Sequence, residues 1–169
     1  RFWQGKPDLG AVRAAASAMV AAGADLLDIG GESTRPGAEP VDPQEELRRV
    51  VPVLEALADL DVCLSVDTRR AAVARAAVQA GAHLLNDVSG FRDPDMIAVL
   101  ADSDLGACVM HMRGDPQSMQ VNPVYADVVT EVRAFLADRV HALLQAGVVR
   151  RRLVLDPGIG FGKRLEHNV

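Results

Sequence analysis

Three side chains carry the most chemical information in this sequence: Asp67, Asn86 and Asp156. Each falls at or near the end of a short apolar run. Two carboxylates and one amide converging on a mostly apolar cavity suit a flat heterocycle with adjacent N–H donors. An aminopyrimidinone presents a ring N–H beside an exocyclic amine, and one carboxylate accepts from both. The amide adds a donor and an acceptor. The second carboxylate can stabilise positive charge that develops on the ligand during reaction. Taken singly, each residue has a plainer alternative, a helix cap or an ion pair with Lys or Arg. Three strands ending this way favour a site.

Two glycine-rich loops accompany these residues. Gly30-Gly31-Glu32-Ser33-Thr34-Arg35-Pro36-Gly37 follows the first apolar run and offers backbone N–H groups, hydroxyls and Arg35 to an anion. An ordinary turn between strand and helix is the alternative on composition alone. Asp156-Pro157-Gly158-Ile159-Gly160-Phe161-Gly162-Lys163 is the second loop. Phe161, flanked by glycines, suits a flat ligand better than a core. Lys163 can meet an anion, although an exposed lysine is the commoner case. In Met110-His111-Met112 the methionines read as core and His111 as a hydrogen-bonded histidine. His83, His141 and His167 have no ligand spacing with Cys63 or Cys108, which argues against zinc. No serine nucleophile elbow and no P-loop pattern is present.

The elements that must position these groups alternate short β-type runs with longer helical ones. Strands are expected at Leu26 to Gly30, Val62 to Asp67, Leu84 to Val88, Ala107 to Met112 and Leu153 to Asp156. Between them, Leu47, Val50, Val51, Leu54 and Leu57 form one helical stripe. Val128, Val129, Val132, Phe135, Leu136, Val140 and Leu143 form another. Asp42-Pro43 and Asp93-Pro94 read as helix starts. Ala22-Gly23, Ala80-Gly81 and Ala146-Gly147 read as helix stops, with glycine where a left-handed conformation is needed. These stops also mark a weak repeat, each leading into a strand that ends on Asp or Asn. Repeated β/α units give a doubly wound sheet or a (β/α)8 barrel. Polar residues at five strand ends, Asp28, Asp67, Asn86, His111 and Asp156, favour the barrel, whose sites are built at that face. No dinucleotide fingerprint follows the first strand.

Bulk properties narrow the class further. The 169 residues are 49% apolar but only 4% aromatic, so Ala, Val and Leu must fill the interior. A formal net charge of −5 argues against a nucleic-acid surface. Arg69-Arg70 and Arg150-Arg151-Arg152 read as solvated helix ends. No apolar run approaches the roughly 20 residues of a membrane span, and Cys63 and Cys108 read as buried, reduced thiols. A soluble cytoplasmic domain occupying residues 1–169 is expected.

Taken together, Asp28 through Gly37, Ser65-Val66-Asp67-Thr68, Asn86 through Gly90, Met110-His111-Met112 and Asp156 through Lys163 resemble the dihydropteroate synthases, a pterin-binding enzyme family. Their order and spacing match along almost the whole chain. The resemblance implies an α/β fold, a TIM-type (β/α)8 barrel represented by parallel strands 2–6 with their helices. It implies condensation of 6-hydroxymethyl-7,8-dihydropterin pyrophosphate with p-aminobenzoate, giving 7,8-dihydropteroate and pyrophosphate, in a sulfonamide-sensitive family. By resemblance, Thr34, Asp67, Asn86, Met110 and Asp156 contact the pterin, and Thr34 also the phosphate. Arg35 meets the pyrophosphate, and Pro36 and Phe161 lie near p-aminobenzoate. Asp67 and Arg35 are the catalytic assignments. Mg2+ is implied as cofactor and a homodimer as the assembly, with no nucleic-acid or membrane partner. A methyltetrahydrofolate–corrinoid methyltransferase and a non-catalytic pterin-binding module are the rival readings. The loop Glu32 to Gly37 favours the synthase, because a pyrophosphate leaving group needs it.

The chain also departs from that family. Nothing matches its first strand and the following loop, which carries an Asn ligand for Mg2+, so no metal ligand is expected in this chain. Arg1-Phe2-Trp3-Gln4-Gly5 resembles the tail of that loop. The last two strands, with a lysine and an Arg-x-His segment, are likewise unmatched. The expectation is a pterin-gripping half with little of the anion and metal side, marginally stable and inactive by itself.

Overall fold

The computed structural model describes residues 7–35 and 37–168. Helix α1 (Leu9–Ala21) starts where Asp8 accepts the Ala11 N–H at 3.1 Å. Strand β1 (Leu26–Gly30) leads through the first glycine-rich loop to α2 (Pro43–Leu57), capped by Asp42. Then follow β2 (Cys63–Asp67), α3 (Ala71–Gln79), β3 (Leu84–Asp87) and α4 (Pro94–Ala101), the last capped by Asp93. Strand β4 (Gly106–Met110), α5 (Val128–Gln145), a 3-10 turn (Arg150–Arg152), β5 (Leu153–Asp156) and a second 3-10 turn (Leu165–His167) complete the order. The Ala-Gly stops behave as read: Gly23, Gly81 and Gly147 adopt φ of 97°, 91° and 92°, closing α1, α3 and α5.

All five strands are parallel and lie in the order β1-β2-β3-β4-β5. A doubly wound sheet reverses its strand order at a switch point. Sequential order with a helix in every connection is instead an arc of a (β/α)8 barrel, so the fold is an incomplete TIM-type barrel. Register and alternation divide the strand side chains into two sets. Leu64, Val66, Leu85, Ala107 and Val109 are wholly buried in the hydrophobic core. They point one way, beneath the helices. The opposite, inner face carries Asp28, Ser65, Asp67, Asn86, Cys108, Val154 and Asp156. One row of partners on it runs Gly30↔Asp67↔Asn86↔Cys108↔Val154, and Met110↔Asp156 lies one step nearer the C-terminal ends.

Several expectations need correction. Val62 and Val88 fall outside their strands, and β4 begins at Gly106 and ends at Met110. His111 and Met112 therefore belong to the loop above β4. Val129, placed on an apolar stripe, is 62% exposed, because α5 presents a narrower buried face of Val132, Leu136, Val140 and Leu143. Cys63 and Cys108 are free but only half-buried, both being on the inner face, which is less covered than the helix side.

Candidate functional site

The Asp67–Asn86 step of the inner row is the centre of the site. Gly30, Asp67 and Asn86 are direct strand partners, and the absent side chain at Gly30 leaves space beside Asp67. A Cβ there would stand 3.4 Å from that of Asp67. Asn86 Nδ2 donates to Asp28 Oδ2 at 3.0 Å, which orients the amide across β2. The half-buried Asp67 carboxylate accepts no hydrogen bond among the described residues. Burial pushes its pKa up to about 7, helped by the carboxylates of Asp28, Asp87, Glu46 and Glu32. An acid left unpaired among like charges is a group waiting for donors, and such shifts cluster at functional sites.

Asp156 completes the set from β5. Its Oδ1 accepts the Gly158 N–H at 2.7 Å, so the helix-cap alternative is realised in part as a loop cap. Beside it, Met110 is buried with Val88, Met112 and Met119, and Phe161 packs on that cluster. The carboxylate–amide–carboxylate set and an apolar wall therefore share the C-terminal ends of β2 to β5. Asp87, next to Asn86, points the other way. It accepts the Ser89 and Phe91 N–H groups at 2.8 and 2.9 Å and holds the β3–α4 loop.

Thr34 is half-buried and Arg35 exposed in the first glycine-rich loop. Arg35 has no ion pair among the described residues, and Pro36 lies outside them. The loop is anchored from behind by a network that the sequence does not advertise. Glu32 pairs with Arg69 and Arg70 at 3.0 and 2.6 Å and accepts the Val41 N–H at 2.9 Å. Arg70 also pairs with Glu46, which is 1% exposed and accepts the Thr68 hydroxyl at 2.6 Å. Burial would raise the Glu32 pKa, but the Val41 N–H and the Arg70 guanidinium outweigh it and hold it low. Arg69 and Arg70 are thus not a solvated helix end: they tie the β1–α2 and β2–α3 connections together. Arg152 also departs from expectation, donating to the Leu105 and Leu100 carbonyls at 2.6 and 2.7 Å.

Lys163 needs the firmest correction. It is 5% exposed and pairs with no carboxylate among the described residues; its ammonium donates to the carbonyls of Gly158 and Phe161 and approaches His111 Nδ1. His111 is hydrogen-bonded, as read. Asp28 and the Glu32–Arg70–Glu46 network are the contributors that sequence reasoning left out of the site. Only Asp28 gave a signal, as a polar residue at a strand end. Among the described residues, no group of three or more His, Cys, Asp or Glu can hold a metal ion. No described helix is long and apolar enough to cross a membrane.

A sequential parallel sheet with polar groups gathered at its C-terminal strand ends, beneath glycine-rich loops, defines a barrel protein with its candidate site at that face. More narrowly, the chain belongs to the family described as pterin binding enzyme, whose sequence model matches residues 4–169. It is 46% identical over 154 residues to the dihydropteroate synthase of Escherichia coli K12, covering 90% of this chain and 55% of that protein. The crystal structure of Yersinia pestis dihydropteroate synthase in a sulfonamide drug complex superposes with a TM-score of 0.93 at 48% identity. It covers 96% of this chain and 60% of that one. The Burkholderia cenocepacia enzyme complexed with 7,8-dihydropteroate gives 0.87 at 57% identity, covering 94% and 57%. The chain thus spans a little over half the length of these relatives.

Proposed function

We propose that this chain supplies the pterin-gripping part of a dihydropteroate synthase. The observation that carries this reading is the Asp67 carboxylate, unpaired beside Asn86 and raised to about 7, at the strand ends of a pterin-family barrel. In this role Asp67 accepts from the ring N–H and exocyclic amine of the pterin, Asn86 and Asp156 hold the remaining ring edges, and Met110 lies against its face. Thr34 and Arg35 receive the pyrophosphate, while Pro36 and Phe161 flank p-aminobenzoate. The arylamine nitrogen attacks the pterin methylene carbon. The C–O bond to pyrophosphate breaks with its electron pair leaving on oxygen, a C–N bond forms, and the nitrogen loses one proton. The Asp67 charge stabilises the cation-like pterin as the C–O bond weakens.

Further parts of the proposal are Mg2+ bound with the pyrophosphate, a homodimeric assembly, a cytoplasmic location and sensitivity to sulfonamides, which compete for the arylamine position. No step above passes through Mg2+. The 169 residues are proposed to be inactive without the rest of the relatives' length. Pyrophosphate release should be followed with and without p-aminobenzoate, on this chain and on a version extended to that length. Arylamine-dependent release by the extended version is the expected result. Release from neither sinks the synthase, and product formed from methyltetrahydrofolate and a corrinoid protein replaces it with the methyltransferase.

A further inference from the structure

We propose that Lys163 is a positioning residue, a tether that sets Phe161 for the arylamine by holding the Gly158–Gly162 loop against His111. The substrate side of this inference rests on the function proposed above; the tether itself does not. A lysine ammonium has three N–H donors, and here all three are used. They reach Gly158 O at 2.9 Å, Phe161 O at 3.3 Å and His111 Nδ1 at 2.9 Å. Among the described residues no carboxylate pairs with it, and the ammonium is solvated by the loop carbonyls and the imidazole. Burying a charge in that way is costly unless every donor is satisfied, which makes the arrangement specific to one loop conformation.

The loop has little freedom to take another. A Cβ at Gly158, where φ is 69°, would stand 1.9 Å from the His111 carbonyl oxygen, so the backbones are in direct contact there. At Gly162 a Cβ would come within 2.9 Å of Arg113 Cβ. Phe161 N–H closes a turn onto Gly158 O at 3.0 Å, so the carbonyl that Lys163 holds is the one that orients Phe161. His111 is in turn fixed edge-on against Phe135, with ring centroids 5.0 Å apart. It accepts the lysine only as the neutral ring. Burial pushes its pKa down to about 4, followed by the Lys163, Arg92 and Arg113 charges. Lys163 is drawn down to about 8 by burial, opposed by Asp156, and so keeps its proton at neutral pH. The chain of restraint runs from β4 through His111 and Lys163 to the aromatic ring.

The test uses the full-length protein with Lys163→Met, which deletes all three donors, and Lys163→Gln, which keeps an amide donor. In Lys163→Met the KM for p-aminobenzoate should rise about tenfold or more while that for the pterin pyrophosphate stays within about twofold, with partial recovery in Lys163→Gln. Amide hydrogen exchange at Gly158, Gly160 and Phe161 should accelerate in the methionine variant while β2 and β3 keep their protection. Equal changes in both KM values, or a lowered Tm with unchanged KM values, would mean a structural lysine only and overturn the proposal. Unchanged exchange in the loop overturns the tether itself. If the wild-type protein makes no dihydropteroate, the substrate reading fails, and the exchange result alone decides whether the tether exists.

Discussion

At Asp67 the fold works against the charge that the proposed chemistry needs. The unfolded value is 3.8 and the folded one about 7. Between these pH values the native state keeps a proton that the unfolded state has lost. Stability therefore falls as pH rises through this window, and the full cost is present above it. Asp67→Asn removes that cost. After discounting for solvent screening it should stabilise by about 1–2 kcal/mol, or a few °C in Tm, near pH 8. The gain should vanish near pH 4, which thermal unfolding at both values checks. The same variant should lose about 100-fold or more in turnover of the extended protein. Wild-type pterin affinity should strengthen as pH rises through about 7, because the acceptor is the ionised carboxylate. The residue was legible in the sequence because it is one of three polar groups, with Asn86 and Asp156, that end separate apolar strands; alone, a helix cap or an ion pair would have explained it. Its unpaired state was not, since that depends on Gly30 and Asn86 lying alongside at one register.

Between elements, the Glu32–Arg69–Arg70–Glu46 network joins the β1–α2 loop to the start of α3. Glu46→Ala should cost about 1–3 kcal/mol in denaturant unfolding, because the buried Thr68 hydroxyl loses its acceptor and Arg70 keeps only the Glu32 carboxylate. A loss below about 0.5 kcal/mol would show that the network is solvent-screened and does not hold the loop. Strand and helix boundaries were readable within one or two residues from the Asp-Pro starts and Ala-Gly stops, which are local signals. The network was not, because Glu32 and Arg70 are brought together only by parallel pairing of β1 with β2. Lys163 was misread for a related reason. A glycine-rich loop has no hydrophobic period, so nothing local marks which of its residues turns inward.

On the scale of the molecule, the described sheet has two outer strands, β1 and β5. Val154 is 54% and Leu155 49% exposed on β5, and Leu26 is 41% exposed on β1. Unpaired parallel edges flanked by apolar side chains invite association. As a separate polypeptide, these residues should bind a hydrophobic dye and self-associate with concentration, and a version of the relatives' length should not bind the dye. A sharp monomer boundary in sedimentation with no dye binding would contradict this. The barrel class was legible in the sequence from strand-end polarity, whereas the sequential strand order that excludes a doubly wound sheet required the pairing itself. The central claim is that Asp67, Asn86 and Asp156 take the pterin ring. It is tested most directly by calorimetric titration of 6-hydroxymethylpterin into the extended protein and its Asp67→Asn and Asp156→Asn variants. The account predicts binding to the wild type that weakens about 30-fold or more in each variant, the loss of a charge-assisted hydrogen-bond pair. Unchanged affinity in both variants would place the pterin elsewhere and contradict it.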